Sequence, residues 1–110
     1  MLAFTFEDQS FGKKRHPKPI AYEDVVVGLV GVTVLTKSNA QKCVGALVNF
    51  ENGPFRARWD GGAPVNGTSG YLRSAGDEYF FSREEALRLV VIIDTIAGGV
   101  SGTLRVTYYG

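Results

Sequence analysis

The chain has 110 residues, of which 45% are apolar and 21% are charged, and its formal net charge is +1 at pH 7. This length suits one domain with its own core, and the composition favours a folded globular body over a disordered chain. The near-neutral charge removes any general electrostatic argument for binding nucleic acid, an anionic membrane or an acidic substrate. The single cysteine excludes an internal disulfide and a zinc site built from several cysteines.

Residues 1–23 differ from the rest and are predicted to form an extended arm. Prolines and the lack of apolar periodicity disfavour a helix or an interior strand there. The arm carries four basic residues near its end, whereas eight basic and eight acidic residues follow from position 24 onward. We expect the arm to lie against its own domain or to contact a neighbouring subunit. The candidate subunit-contact residues are Phe4, Phe6, Phe11, Lys13, Lys14, Arg15 and Lys18.

The N-terminus lacks the basic, apolar and small-residue pattern of a signal peptide, which predicts synthesis in the cytoplasm. The apolar run at 25–35 is about half the roughly 20 residues that a membrane-spanning helix needs. Its valines and glycines favour a buried strand instead. We therefore expect no membrane partner.

Alternating apolar residues predict strands from Asp24 onward. The first two cover about 25–36 and 42–51, joined by a polar connection at 37–41. Asn52-Gly53 is typical of a hairpin turn. In the next strand, about 55–60, apolar side chains alternate with charged ones, so we expect one exposed face and a core position for Trp59.

A glycine-rich loop at 60–70 precedes the short strands of the second half. Ser82 and Glu85 have the spacing of a capping box and predict one helical turn. The apolar run at 89–93 is expected to be buried on both faces. In the final strand Tyr108 shares the apolar face, which leaves Tyr109 outward. Tyr109 and Tyr71 are the candidate exposed contacts.

Six to eight short strands with turn signals about every 8–12 residues predict an all-β fold. We expect a single antiparallel β-sandwich, jelly-roll-like, over residues 24–110. The extended N-terminal arm at 1–23 and at most one short helical turn complete this prediction.

The sequence assembles no catalytic constellation. His16 is the only histidine and stands in the predicted arm, where a preorganised triad is hard to build. The carboxylates match no calcium-binding loop, and the glycines match no phosphate-binding pattern. We therefore predict no catalytic residue, no metal site and no cofactor, and a protein that is not an enzyme.

One stretch resembles a recurrent small domain of tailed-bacteriophage virion proteins. The resemblance covers about 60 residues and rests on the order of short motifs rather than on any one of them. Gly61 departs from the pattern, since an acidic residue is common there. The matching elements are the run Arg56-Ala-Arg-Trp-Asp-Gly-Gly62, the loop Ala63-Pro64 to Gly70, Ala75-Gly76-Asp77, Glu85-Ala86-Leu87, Leu89–Ile93 and Leu104-Arg-Val-Thr-Tyr-Tyr109.

The resemblance implies a β-sandwich structural component of the virion and leaves its place in the particle open. Our first expectation is a capsid decoration or cement protein that binds the major capsid protein lattice. A head-tail, tail or fibre accessory protein is the alternative within the same class, and a homo-oligomer is expected. Two other interpretations stay open. Exposed aromatic residues would suit a carbohydrate-binding module. The basic cluster at 13–18 would suit a weak contact with nucleic acid, although nucleic acid is the less favoured partner.

Overall fold

The computed structural model describes residues 6–8, 13–15, 17–29 and 32–110, with the backbone alone for the first two ranges. These residues form ten strands and two short helices. The strands are β1 (Phe6–Asp8), β2 (Lys13–Arg15), β3 (Pro19–Val27), β4 (Thr33–Val34), β5 (Gly45–Asn52), β6 (Phe55–Arg58), β7 (Tyr71–Arg73), β8 (Glu78–Ser82), β9 (Val90–Ile93) and β10 (Gly102–Tyr109). The helices are α1 (Lys37–Lys42) and α2 (Arg83–Arg88).

Eight of these strands form two four-stranded antiparallel sheets. The first sheet has the order β3-β10-β5-β8 and the second has the order β4-β9-β6-β7. Successive strands cross from one sheet to the other, except for the β6–β7 pair within the second sheet. This strand order is that of a jelly roll, in which two Greek keys form the two sheets. The prediction of an all-β, jelly-roll-like sandwich is confirmed.

The core lies between the sheets and follows the predicted alternation. In β10, Leu104, Val106 and Tyr108 are fully buried. In the neighbouring β5, Val48 and Phe50 are also fully buried. Because successive side chains of a strand point to opposite faces, the polar residues between them reach the outer face of the first sheet.

The turn at Asn52-Gly53 is confirmed, but its predicted hairpin role is wrong. Both residues have positive φ, 62° and 108°. Yet β5 lies in the first sheet and β6 in the second, so the turn carries the chain across the sandwich. The residues specify a reversal of direction, and the long-range strand order decides which strands pair.

Two further elements differ from the sequence-based prediction. Residues 37–41, predicted as a connection, belong to α1, which is a second short helix beside α2. In β9, Val91 and Ile93 are buried whereas Val90 and Ile92 are only half-buried. The expectation of burial on both faces is therefore wrong for β9, because the second sheet packs on the core with one side only.

The start of the sandwich reaches into the predicted arm. Strand β3 begins at Pro19 and pairs with β10 along its length, so residues 19–23 are part of the first sheet. Lys18 is exposed, and its backbone exchanges two hydrogen bonds with Gly110, at 3.1 and 2.9 Å. Strands β1 and β2 pair with each other as a separate antiparallel ladder.

The other predicted arm contacts are outside what the structure describes. Phe4 and Phe11 lie outside the described residues. Phe6, Lys13, Lys14 and Arg15 are described by their backbone alone, within β1 and β2. Their assignment to subunit contact stays a prediction.

Candidate ligand-binding cleft

A cleft opens where β6 ends and β7 begins. Its volume is about 330 Å³ and it is lined by Arg58, Trp59, Asp60, Gly70 and Tyr71. Strand β6 brings the first three residues to this place, and the glycine-rich loop at 60–70 returns the chain beside them. The cleft therefore combines aromatic rings with an ion pair.

A stack of aromatic rings leads from the core to the cleft. Phe81 is fully buried, and its ring lies edge-on to Trp59 with 5.1 Å between the centroids. Trp59 in turn stacks on Tyr71 with 4.7 Å between centroids and 20° between the planes. Tyr79 packs against both Trp59 and Phe81. Tyr71 forms the outer end of this stack, and 61% of its surface is exposed.

Arg73 supports the rings from β7. Its guanidinium carbon lies 5.7, 5.9 and 5.2 Å from the ring centroids of Trp59, Tyr71 and Tyr79. A cation at this distance is attracted to the electron-rich ring face. The Arg73 Nε atom is buried and has no hydrogen-bond partner among the described residues. Arg73 thus contacts all three rings as a cation.

Arg58 and Asp60 form the polar wall of the cleft. Two contacts join them, Nε to Oδ1 at 3.1 Å and Nη2 to Oδ2 at 2.7 Å. The hydrogen bond from Arg58 and the backbone N–H of Gly62 lower the pKa of Asp60 to about 2. The hydrogen bond to Asp60 in turn raises the pKa of Arg58. The pair is therefore ionised on both sides and electrically neutral as a unit.

Two glycines allow the loop to close around this pair. A Cβ on Gly62 would lie 2.6 Å from the Arg58 guanidinium carbon. Gly70 has a φ of +103°, and a Cβ there would lie 3.1 Å from the Ala57 carbonyl oxygen. Larger residues would displace Arg58 or the start of β7. Gly62 and Gly70 thus let the loop approach β6 closely.

A buried ion pair holds the end of the loop at Gly70. Asp94 is fully buried, and its Oδ2 lies 2.6 Å from Arg56 Nε. Arg56 also donates through Nη1 to the Gly70 carbonyl at 3.1 Å. Burial alone would raise the pKa of Asp94, but the hydrogen bonds from Arg56 and from the Ala97 backbone outweigh it and lower the pKa.

A second feature of the surface is an edge strip of apolar side chains. Strand β3 is one of the two edge strands of the first sheet, and β4 is an edge strand of the second. The strip begins on β3 and continues along the chain to β4. On β3, Tyr22 and Val26 are 60% and 73% exposed. The edge strip comprises Ile20, Tyr22, Val26, Leu29, Val32 and Val34.

The two predicted contact tyrosines do not form one site. Tyr71 is exposed, as expected, and lines the cleft. Tyr109 is only half-buried, on the outer side of β10, with its ring 6.3 Å from that of Phe80. Tyr108 beside it is fully buried, so the predicted facing of this strand is confirmed. A contact role for either tyrosine stays a prediction.

Trp59 is half-buried at the edge of the core rather than inside it. The roles of Arg58, Asp60 and Arg73 were not predicted from the sequence. The spacing of Arg58 and Asp60 was a usable signal, because residues two apart in an extended chain point to the same side. The position of Arg73 among the rings depends on the pairing of β6 with β7, which no local pattern specifies.

Among the described residues, no group of three or more histidine, cysteine, aspartate or glutamate side chains could hold a metal ion. Cys43 is buried, and its thiol donates to the Ala40 carbonyl. In the part of the chain that the structure describes, no helix has the length and apolar character to cross a membrane.

By its strand order and surface, the molecule is a jelly-roll domain with an aromatic cleft and an apolar edge. Comparison with protein families, with curated proteins and with solved structures finds no match.

Proposed function

We propose that this chain is a non-enzymatic structural subunit of a tailed-bacteriophage particle, a decoration protein that attaches to the major capsid protein lattice. The observation that carries the proposal is the edge strip on β3 and β4. Contiguous apolar side chains on a protein surface mark sites of protein contact. The order of motifs around the run at 56–62 resembles that of virion proteins. This resemblance indicates that the partner is another virion subunit.

The geometry of β3 supports attachment through this edge. Ala21 and Val25 point inward and pack against the core, while Ile20, Tyr22 and Val26 point outward. Core packing therefore explains the inward face of the strand. On the outward face these three apolar side chains flank Asp24, which pairs with Arg105 of β10. An exposed apolar edge strand invites pairing with another chain. A capsid subunit in the lattice would cover it.

The fold is suited to such a role. Jelly rolls serve as viral coat domains and also as lectins, so the fold is compatible with a virion subunit without identifying one. Repetition in a symmetric shell makes weak contacts sufficient, since each copy is held at high effective concentration. The expectations of a homo-oligomer and of location in the virion belong to this proposal.

Quantitative mass spectrometry of purified particles from a phage that encodes the chain tests the proposal. A copy number close to that of the major capsid protein supports decoration. About six or twelve copies would indicate the alternative, a head-tail or tail component, because portals and tails have that symmetry. Absence from purified particles would overturn the proposal.

A second experiment tests the edge strip itself. Val26→Lys places a charge in the strip, and Val65→Lys makes the same change at an exposed valine in the 60–70 loop. We expect wild type and Val65→Lys to bind particles that lack the protein, and Val26→Lys to lose at least about tenfold in affinity. Equal binding by all three proteins would show that another face attaches.

A further inference from the structure

We propose that the cleft between Trp59, Tyr71 and the Arg58–Asp60 pair binds an uncharged sugar residue of a glycan. This site is separate from the edge strip and does not depend on the proposed virion role. The proposal rests on a rigid aromatic platform, a neutral polar pair beside it and a cleft of matching size.

The platform is preorganised for stacking. Tyr71 presents a largely exposed ring whose inner side is held against Trp59, and Arg73 binds both rings. A rigid aromatic surface offers contact area with little loss of conformational entropy on binding. The ligand that matches it has one flat apolar side, as the C–H face of a pyranose ring does.

The polar wall matches sugar hydroxyl groups. Each hydroxyl can both donate and accept a hydrogen bond. The hydrogen bonds of the described residues use three of the five guanidinium N–H groups of Arg58, toward Asp60 and the Ala63 carbonyl. The remaining N–H groups and the exposed Asp60 carboxylate can therefore bind two neighbouring hydroxyls. Hydrogen bonds to charged partners are stronger than those between neutral groups.

The charge of the cleft favours an uncharged ligand. Arg58 is neutralised by Asp60, which stays ionised because its pKa is lowered to about 2. Arg73 keeps its charge, but it lies over the rings and does not line the cleft. A nucleic acid strand would also stack on Tyr71, but its affinity depends on cations that are available to phosphates. The cleft therefore favours a glycan over a single-stranded nucleic acid.

The size of the cleft is consistent with one sugar residue. Its volume of about 330 Å³ is near the lower end of ligand pockets, which span roughly 300–1,000 Å³. The open side at Tyr71 leaves room for the rest of the glycan to continue into solvent.

Trp59 provides a direct test, because it is the only tryptophan of the chain and forms a wall of the cleft. The full-length protein is screened on an array of bacterial-surface and plant glycans. The best neutral oligosaccharide is then titrated while Trp59 emission is recorded. We expect a saturable change in emission.

Tyr71→Ala should weaken binding about tenfold, because a stacked ring contributes roughly that factor. Asp60→Asn should weaken binding about as much, through loss of the charged acceptor.

Leu72→Ala is the matched control, since Leu72 is an exposed neighbour of Tyr71 that does not line the cleft. Its affinity should stay within about twofold of wild type. Three results would overturn the proposal. The first is the absence of binding to every glycan on the array. The second is glycan binding that Tyr71→Ala leaves unchanged. The third is that the protein binds a single-stranded oligothymidylate instead of a glycan and that salt abolishes this binding.

Discussion

Asp94 joins the turn that follows β9 to the start of β6, which is distant in the chain. Its carboxylate accepts from Arg56 in β6 and from the Ala97 backbone in the following turn. Its own backbone donates to the Pro54 carbonyl and accepts from the Gly99 N–H, at 3.0 and 2.8 Å. A buried charge with this many partners is costly to leave unpaired. Asp94 therefore fixes the turn before β10 and, through Arg56, the base of the cleft.

Replacing Asp94 by asparagine tests this role. Asp94→Asn keeps an oxygen for the Ala97 N–H but removes the charge that faces Arg56. We expect the free energy of unfolding at pH 7 to fall by about 2–3 kcal/mol, because a buried ion pair loses one partner. Urea denaturation measures this change. Glu84→Ala, which removes an exposed ion pair with Arg83, should leave the midpoint nearly unchanged.

The same substitution has a characteristic pH dependence. The pKa of Asp94 in the folded protein is below its ordinary value of 3.8, so its stabilising contribution is present above that pH. The contribution disappears as the pH falls through the lower folded pKa. We expect the difference between wild type and Asp94→Asn to shrink in acid. A constant difference from pH 7 to pH 2 would contradict the assignment.

The two helices show what local sequence rules can detect. At α2 the Ser82 hydroxyl accepts from the Glu85 N–H, and the Glu85 carboxylate accepts from the Ser82 N–H, so the predicted capping box is present. At α1 the N-cap residue Thr36 makes no such bond. Its hydroxyl donates instead to Glu23 of β3, at 2.7 Å. The sequence therefore predicted α2 and missed α1, whose start depends on a distant strand.

We expect Ser82→Ala to lower the free energy of unfolding by about 1 kcal/mol, because the first turn of α2 loses its side-chain acceptor. Ser82→Asn should restore most of this loss, since asparagine is as good an N-cap residue as serine. Thermal denaturation of the three proteins provides the comparison. A loss that asparagine does not restore would indicate that the hydroxyl acts through packing rather than capping.

The cleft was predictable only in part for the same reason. The alternation over 55–60 indicated that Arg58 and Asp60 share a side, and the loop composition indicated a close turn. The stacking of Tyr71 on Trp59 required the pairing of Ala57 with Tyr71, across a loop of irregular structure. The alternation within one strand is enough to predict which of its residues share a face. To predict which residues of two different strands meet, the strand register must be known, and it depends on the jelly-roll strand order.

At the scale of the whole molecule, the last strand completes the fold. Strand β10 lies between β3 and β5, so the first sheet lacks a central strand until the final residues are in place. Glu23 reinforces this long-range closure. Burial raises its pKa, but hydrogen bonds from Tyr108 and Thr36 outweigh burial and lower it. The core side chains of both sheets form one cluster. The sheets should therefore unfold together.

A substitution in one sheet, monitored by a probe in the other, tests this expectation. Leu104 is fully buried in β10 of the first sheet, whereas Trp59 directly follows β6 of the second. Leu104→Ala should cost about 3 kcal/mol, through lost burial and the cavity that remains. Trp59 fluorescence and far-UV circular dichroism should give one coincident urea transition, shifted equally by the substitution. Val65→Ala, at an exposed valine, should shift neither probe. If the Trp59 transition stayed at its wild-type midpoint while the dichroism transition moved, the two sheets would be independent units, and the shared core would not be what stabilises the cleft.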